Sequence, residues 1–335
     1  HYGTIQKINT FVPRLGRAIF NSHSIAIQDS LARKTGMKKG LVLEGGGLRG
    51  MFTVGVTDVM MEQGICFDGM IGVSAGATFG CNLKSRQPTR ALRYSIRFRH
   101  DPRYMGLWSF LTTGDWVNSH FCYRTVPDKY DLFDYDQFEQ NDMDFEVVCT
   151  DAVTGQPIYK QLTSLRGENM DWLRASASLP LLSHPVRIAD HLLLDGGITD
   201  SIPLKHFQEK GYERCVVVLT QPDGFRKKPT RLMPLFHLLM KEYPHIIKAM
   251  ARRHEMYNSQ LDYLNQQAEQ GNVLVIHPDG PLPIGRVQQD KNRMKQVYQL
   301  GREAAMEALP RLREFICKEQ TKHTSNGWRH TIRAK

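Results

Sequence analysis

The sequence predicts an α/β fold with a mainly parallel central sheet, and three observations lead there. Apolar runs of strand length recur along the chain. Stretches of helical periodicity separate them. The first two strand-to-helix junctions are turns of small residues. The first strand is expected at residues 40–43 and runs directly into Gly45-Gly46-Gly47-Leu48-Arg49-Gly50. Residues 51–63 carry Val54, Val56, Val59 and Met60 at helical spacing, and Gly64 is placed to stop that helix. Residues 67–73 form a second strand, Ser74 follows among small neighbours, and a helix runs from about residue 75 to 84. Later strands are expected at residues 145–150, 158–161, 192–194, 215–220 and 272–277. Helices are expected near 88–99, 170–177, 203–210, 231–251 and 255–269. Residues 289–318 read as a last long helix, interrupted or bent near Pro310.

Composition narrows the class. Of 335 residues, 41% are hydrophobic and 23% charged, which fits a folded chain and argues against wholesale disorder. No apolar run reaches the ~18 residues of a membrane-spanning helix. Forty-four Lys and Arg against 34 Asp and Glu leave a net charge of +10, which favours an anionic partner without choosing among nucleic acid, membrane and substrate. The six cysteines are scattered, with no CxxC pair, which suits a reducing cytoplasmic compartment better than a disulfide framework. Residues 1–38 read as a polar, basic arm with one short helix, and residues 318–335 as a basic, mobile tail. The start has no signal-peptide pattern, and it lacks an initiator Met, which leaves room for an upstream segment. With no linker or repeat, residues 39–317 read as one domain.

Three motifs carry chemistry. In GGGLRG, glycines let the backbone turn and approach a ligand, and amides at a helix start attract negative charge. A dinucleotide phosphate and a developing oxyanion are both open readings. The dinucleotide reading needs an acidic residue at the end of the second strand, yet Asp68 lies at its start, and Gly72-Val73-Ser74 ends it. Gly72-Val73-Ser74-Ala75-Gly76 matches GxSxG in the strand–turn–helix setting of a nucleophile elbow, although Ser74 could simply cap the following helix. Asp195-Gly196-Gly197 follows an apolar strand, which reads either as a plain turn or as a carboxylate held at the sheet edge.

GGGLRG, then GVSAG beginning 27 residues later, then DGG, resembles the patatin-like phospholipase family, most nearly its bacterial single-domain members. Residues 150–155, the stretch Arg174-Ala175-Ser176-Ala177-Ser178-Leu179-Pro180, and Ile202-Pro203 extend the likeness over about residues 39–220. Asp200-Ser201 precede Ile202-Pro203 where many members have an Asn before the Pro, and residues 85–140 match nothing in the pattern. The resemblance implies a three-layer α/β/α sandwich and a Ser–Asp dyad, with Ser74 attacking a lipid ester and Asp195 taking its proton. The activity implied is that of a phospholipase A or lysophospholipase, with acyl transfer or a catalytically quiet lipid-binding protein as alternatives. Amides of Gly46, Gly47 and Leu48 would hold the oxyanion. Gly45, Gly50, Gly72, Gly76, Gly196 and Gly197 complete the motifs, and Arg49 anchors the loop or meets a head group. A free carboxylate, with a reference pKa near ~3.9, is a weak base for a hydroxyl, so the oxyanion donors carry much of the catalysis.

A Ser–His–Asp triad is the rival, with His184, His191, His206 and His277 as candidates, none of them in a triad pattern. Arg86, Arg90, Arg93 and Arg97 share one helical face, which reads as a solvated basic surface or as lipid head-group contacts, with Arg99 and Arg103 nearby. Leu107, Trp108, Phe110 and Leu111 read first as core, then as an acyl-pocket wall or a bilayer contact. No nucleic-acid module, metal constellation or calcium loop appears in the sequence, so neither a nucleic-acid partner nor a cofactor is predicted. The expected partner is a lipid or membrane surface, met from the cytoplasm.

Overall fold

The computed structural model describes residues 38–317. The arm and the tail expected from the sequence lie outside the described residues, apart from Lys38. Strand β1 (Lys39–Leu43) leads through a glycine loop and a 3₁₀ turn (Gly47–Gly50) into α1 (Met51–Glu62). There follow β2 (Gly69–Val73), α2 (Ala75–Lys84), α3 (Arg90–Phe98), α4 (Leu107–Thr113), a π-helical segment (Phe121–Tyr130) and α5 (Tyr135–Gln140). Next come β3 (Asp144–Asp151), β4 (Pro157–Gln161), α6 (Met170–Ser176), β5 (Val186–Ile188), β6 (His191–Asp195) and α7 (Leu204–Glu209). The chain continues through β7 (Arg214–Val218), α8 (Met233–Leu239), α9 (Pro244–Glu269), β8 (Val273–Ile276) and α10 (Lys291–Cys317).

The strands form one sheet in the order β5-β6-β3-β2-β1-β7-β8, with β4 also on β3. The β3-β2-β1-β7-β8 portion is parallel throughout, while β4, β5 and β6 pair antiparallel. Alternate residues face opposite layers: Leu41, Leu43, Met70 and Val216 enter one apolar cluster, and Val42, Ile71 and Val217 the other. The first cluster takes in α1, α2 and α10, the second α7 and α9, which gives the expected α/β/α sandwich. Helices α1 and α10 approach at a pair of glycines. A Cβ on Gly55 would overlap the carbonyl oxygen of Tyr298, and one on Gly301 the carbonyl oxygen of Phe52.

Two helix expectations are corrected. The helices expected at 231–251 and 255–269 are instead α8 and a 26-residue α9, because the break falls at Tyr243. Pro244 occupies the first turn of α9, where its missing N–H costs nothing, and it holds Tyr243 out of helical geometry. Helix α10 runs through Pro310 without interruption. The short elements α4, α5 and β5 and the π-helical segment carry too little periodicity to be read from sequence. No helix among the described residues is long and apolar enough to cross a membrane.

Candidate active site

The sheet register brings Ser74 and Asp195 together. Strand β2 ends where Val73 pairs with Val148. The next residue of β3, Cys149, pairs instead with Asp195. Since β4 holds the other edge of β3, β6 takes over the edge that β2 leaves. The last residue of β6 therefore stands beside the first residue after β2. The Ser176 hydroxyl accepts from the Ser74 amide at 2.8 Å and donates to the Val148 carbonyl at 2.6 Å. The Asp195 amide donates to the Ser178 carbonyl at 2.8 Å. One short stretch, Ser176 to Ser178, thus holds both backbones.

Ser74 has φ 55° and ψ −122°, a conformation that an L-residue with a Cβ adopts only under constraint. The strain needs small neighbours: a Cβ on Gly72 would strike the backbone of Ala77, and one on Gly76 the carbonyl oxygen of Leu43. The Ser74 side chain makes no capping bond to α2, so the helix-cap reading does not describe it. It is 8% exposed.

Asp195 is 2% exposed. Its Oδ1 accepts from the Gly197 amide at 2.8 Å, whereas Oδ2 is buried with no hydrogen-bond partner. Burial pushes the carboxyl above its ordinary range. The Ser74 hydroxyl, near the carboxylate but in no well-formed hydrogen bond with it, then Arg253 and the Gly197 amide, draw it part of the way back. Catalytic hydrogen bonds are often long before substrate binds.

The glycine loop lies against Ser74, with a Cβ on Gly45 blocked by the Cβ of Ser74. Gly47 has φ +58° and passes so close to the Arg286 carbonyl that no side chain fits. That carbonyl also accepts from the Leu48 amide at 2.8 Å, so Leu48 is engaged, and the amides of Gly46 and Gly47 remain the candidate oxyanion donors. Arg49 donates from Nε to the Gly46 carbonyl at 3.4 Å, which fits the anchoring role. Asp68, the acid weighed for a dinucleotide ribose, accepts from the Lys39 amide at 2.7 Å.

Two cavities meet at Ser74, sharing Gly47, Leu179 and Arg286. One has a volume of about 140 Å³ and is walled by residues such as Phe79, Tyr94, Met105, Phe133, Met170 and Leu173. That is roughly ten times the ~10–15 Å³ a single water needs, and the walls suit an alkyl chain. The other is bordered by Asp195 and by four cations, Arg49, Lys227, Arg253 and Arg286. None of the last three was singled out from sequence. Among the described residues lining either cavity there is no histidine. His184 contacts Asp115 and His191 contacts Asp151, each at 3.2 Å. His206 stacks on Tyr159, and His277 Nδ1 lies 3.1 Å from the Pro278 carbonyl.

The four arginines do not share one free surface. Arg90 is 5% exposed and bonds to Asn82 and to the carbonyls of Asp131 and Leu132. Arg93 pairs with both oxygens of Asp131, each at 2.7 Å, and Arg97 donates to the Tyr130 carbonyl. Arg86 is exposed on a turn away from Ser74, beside Met61 and Asn141. The core reading of Leu107, Trp108, Phe110 and Leu111 is overturned for three of the four, Phe110 being half-buried. Leu107, Trp108 and Leu111 are 63%, 62% and 70% exposed on α4, a knob bracketed by Gly106 and Gly114 at positive φ. Met105 bridges Val117 at the neck of this knob, and both line the apolar cavity.

Residues 41–207 match the family described as patatin-like phospholipase, so the chain carries a patatin-like phospholipase domain. Residues 243–316 match a domain of unknown function. The chain is 26% identical over 282 residues to the uncharacterized protein YjjU of Escherichia coli, covering 78% of this chain and 74% of that one. It is 29% identical over 218 residues to lysophospholipase NTE1 of Meyerozyma guilliermondii, covering 63% of this chain and 15% of that one. It is 33% identical over 192 residues to the uncharacterized NTE family protein Mb2594 of Mycobacterium bovis, covering 54% and 31%. The chain thus spans less than a third of either NTE protein.

Proposed function

We propose that this chain is a lipid acyl hydrolase of the phospholipase A or lysophospholipase type, working through Ser74 and Asp195 and a covalent acyl-enzyme. The observation that carries the reading is the strained Ser74 beside the unpartnered Oδ2 of Asp195, at the mouth of an apolar cavity. Ser74 Oγ attacks the ester carbonyl while Asp195 takes its proton. The oxyanion rests on the Gly46 and Gly47 amides. The protonated Asp195 then returns the proton to the departing alkoxide. In the second half, Asp195 deprotonates a water that attacks the acyl-enzyme, and the proton passes to Ser74 as the fatty acid leaves. Burial makes Asp195 a stronger base than a free carboxylate, which eases the first step.

The exposed apolar knob on α4 favours a substrate taken from a lipid surface, with the neck of the knob opening into the acyl cavity. The relatives named lysophospholipase support the same substrate class.

The test is hydrolysis of p-nitrophenyl acyl esters and phospholipid vesicles by wild type, Ser74→Ala, Asp195→Asn and His206→Ala. Loss in the first two variants alone supports the dyad. Full activity in Ser74→Ala ends it. The hold of the Arg286 carbonyl on the Leu48 amide favours a second reading, a quiet lipid-binding protein. Failure of a fluorophosphonate probe to label Ser74 would support that one. Product formed with an added alcohol in place of water would mark an acyltransferase.

A further inference from the structure

We infer that the cation-lined cavity beside Ser74 holds a phosphate carried on the alcohol half of the substrate, so that the preferred ester is an acyl lipid with an unmasked anionic phosphate. The inference rests on the reading of Ser74 as nucleophile. The phosphate-bearing side of the ester then lies in one cavity and the acyl chain in the other, because both cavities open on the same serine.

Four cations reach this cavity from separate parts of the chain. Arg49 comes from the glycine loop, Lys227 from the segment after β7, Arg253 from α9, and Arg286 from the loop after β8. Two carboxylates face them. Glu44 is already committed: Oε1 accepts from the Tyr257 hydroxyl and Oε2 from the Thr220 amide, each at 2.6 Å. The other is Asp195. Arg253 donates from Nε to the Gly197 carbonyl and Arg49 to the Gly46 carbonyl, so both are anchored through neutral oxygens.

Cations so placed oppose one another. Burial first, and then repulsion by Arg286, lowers Arg49 and Arg253 below the ordinary guanidinium value. Burial, then Arg253 and Arg286, brings the Lys227 ammonium down to about 7. An entering anion relieves that repulsion. Guanidinium forks match phosphate oxygens in geometry as well as charge.

The same cavity disfavours a choline head group. Its one aromatic wall among the described residues is Tyr257, and Lys227 Nζ already sits 4.0 Å from the centre of that ring. A quaternary ammonium would meet a cation where it needs an aromatic face.

The experiment compares 1-lauroylglycerol 3-phosphate with 1-lauroylglycerol and lauroyl lysophosphatidylcholine, on the full chain. Wild type should favour the phosphate monoester in kcat/KM by about tenfold or more over both, the scale of one charge-assisted hydrogen bond. Arg286→Gln and Lys227→Met should each cut that ratio by about fivefold or more, and Lys227→Arg should restore it. A ratio near one in an active wild type overturns the inference. Inorganic phosphate that competes with 1-lauroylglycerol, with no gain for the phosphate ester, assigns the cavity to the free anion and also overturns it. Should no ester be cleaved, the hydrolase reading fails separately, and calorimetric binding to Ser74→Ala decides. Tighter binding of the phosphate lipid than of 1-lauroylglycerol supports the subsite, and equal binding overturns it.

Discussion

Replacing Asp195 by Asn should make the protein more stable and almost inert, and the site geometry sets both effects. The Asn oxygen can keep the 2.8 Å bond from the Gly197 amide. The amide nitrogen would replace Oδ2, which is buried and unpartnered, and could donate to Ser74. Relieving a buried unsatisfied polar atom is worth about 1–3 kcal/mol. The opposing loss is the attraction of Arg253 and Arg286 for the carboxylate. The direction of the pKa points the same way as that relief. The Asp195 pKa is raised with those attractions included, so the folded protein disfavours the ionised form overall. With an unfolding entropy of about 2.1 cal/mol/K per residue, each kcal/mol is worth roughly 1.5 °C in a chain of this size, so the melting temperature at pH 7.5 should rise by about 1–4 °C. A group with a raised folded pKa contributes stability that is full below its unfolded value and is lost as pH rises through the folded one. The advantage of Asn should therefore shrink toward pH 4. Ester hydrolysis should fall at least about 10²-fold with the general base gone. Thermal unfolding at both pH values and turnover of a p-nitrophenyl ester give the comparison. An Asn variant that is less stable at pH 7.5, or one that keeps its activity, would refute the reasoning.

Three further outcomes follow from the same geometry. The acid limb of kcat/KM should lie above the ordinary carboxylate range, near ~3.9, because burial raises Asp195 and only its ionised form accepts the serine proton; a pH–rate profile reads this directly. Ser176→Ala strands the Ser74 amide and the Val148 carbonyl, both satisfied by one hydroxyl, and should cost about 1–3 kcal/mol in denaturant unfolding together with a fall in kcat. Trp108→Glu combined with Leu111→Glu places charge on the exposed face of α4, and the ratio of vesicle turnover to soluble-ester turnover should drop about tenfold if that face enters lipid.

The candidate pair, Ser74 and Asp195, was legible because its backbone geometry leaves little choice of residue. A serine thrust out at positive φ demands neighbours without bulk, and Gly72 and Gly76 record that demand in the sequence. The cationic wall left no such record. Arg253 follows Arg252 and looks like half of a solvated pair, yet only Arg253 turns under Gly197, while Arg252 bonds Glu255 on the surface. Arg286 sits in a loop with no period to read. The arginines of α3 show the converse failure: their spacing is helical and Arg90, Arg93 and Arg97 do share a side, but Asp131 and the Tyr130 carbonyl, distant in sequence, occupy it. Residues 107–111 read as core because apolar residues usually are. The available signal was the pair of glycines around them, which folds the segment back on itself as a projecting knob.

The segment matching a domain of unknown function is built into the site. Its α9 brings Arg253 beneath Gly197 and Tyr257 against Glu44, and its loop lays the Arg286 carbonyl on the Leu48 amide. Its last helix, α10, locks onto α1 through Gly55 and Gly301, and α1 begins directly where the glycine loop ends. The atoms proposed to react come from residues 41–207, while most of the charge beside them comes from later in the chain. If the cationic cavity takes the head group as proposed, head-group preference can vary through Lys227, Arg253 and Arg286 while Ser74 and Asp195 keep their register on β3. Substitution at those cations should alter which ester is chosen more than whether an ester is cleaved.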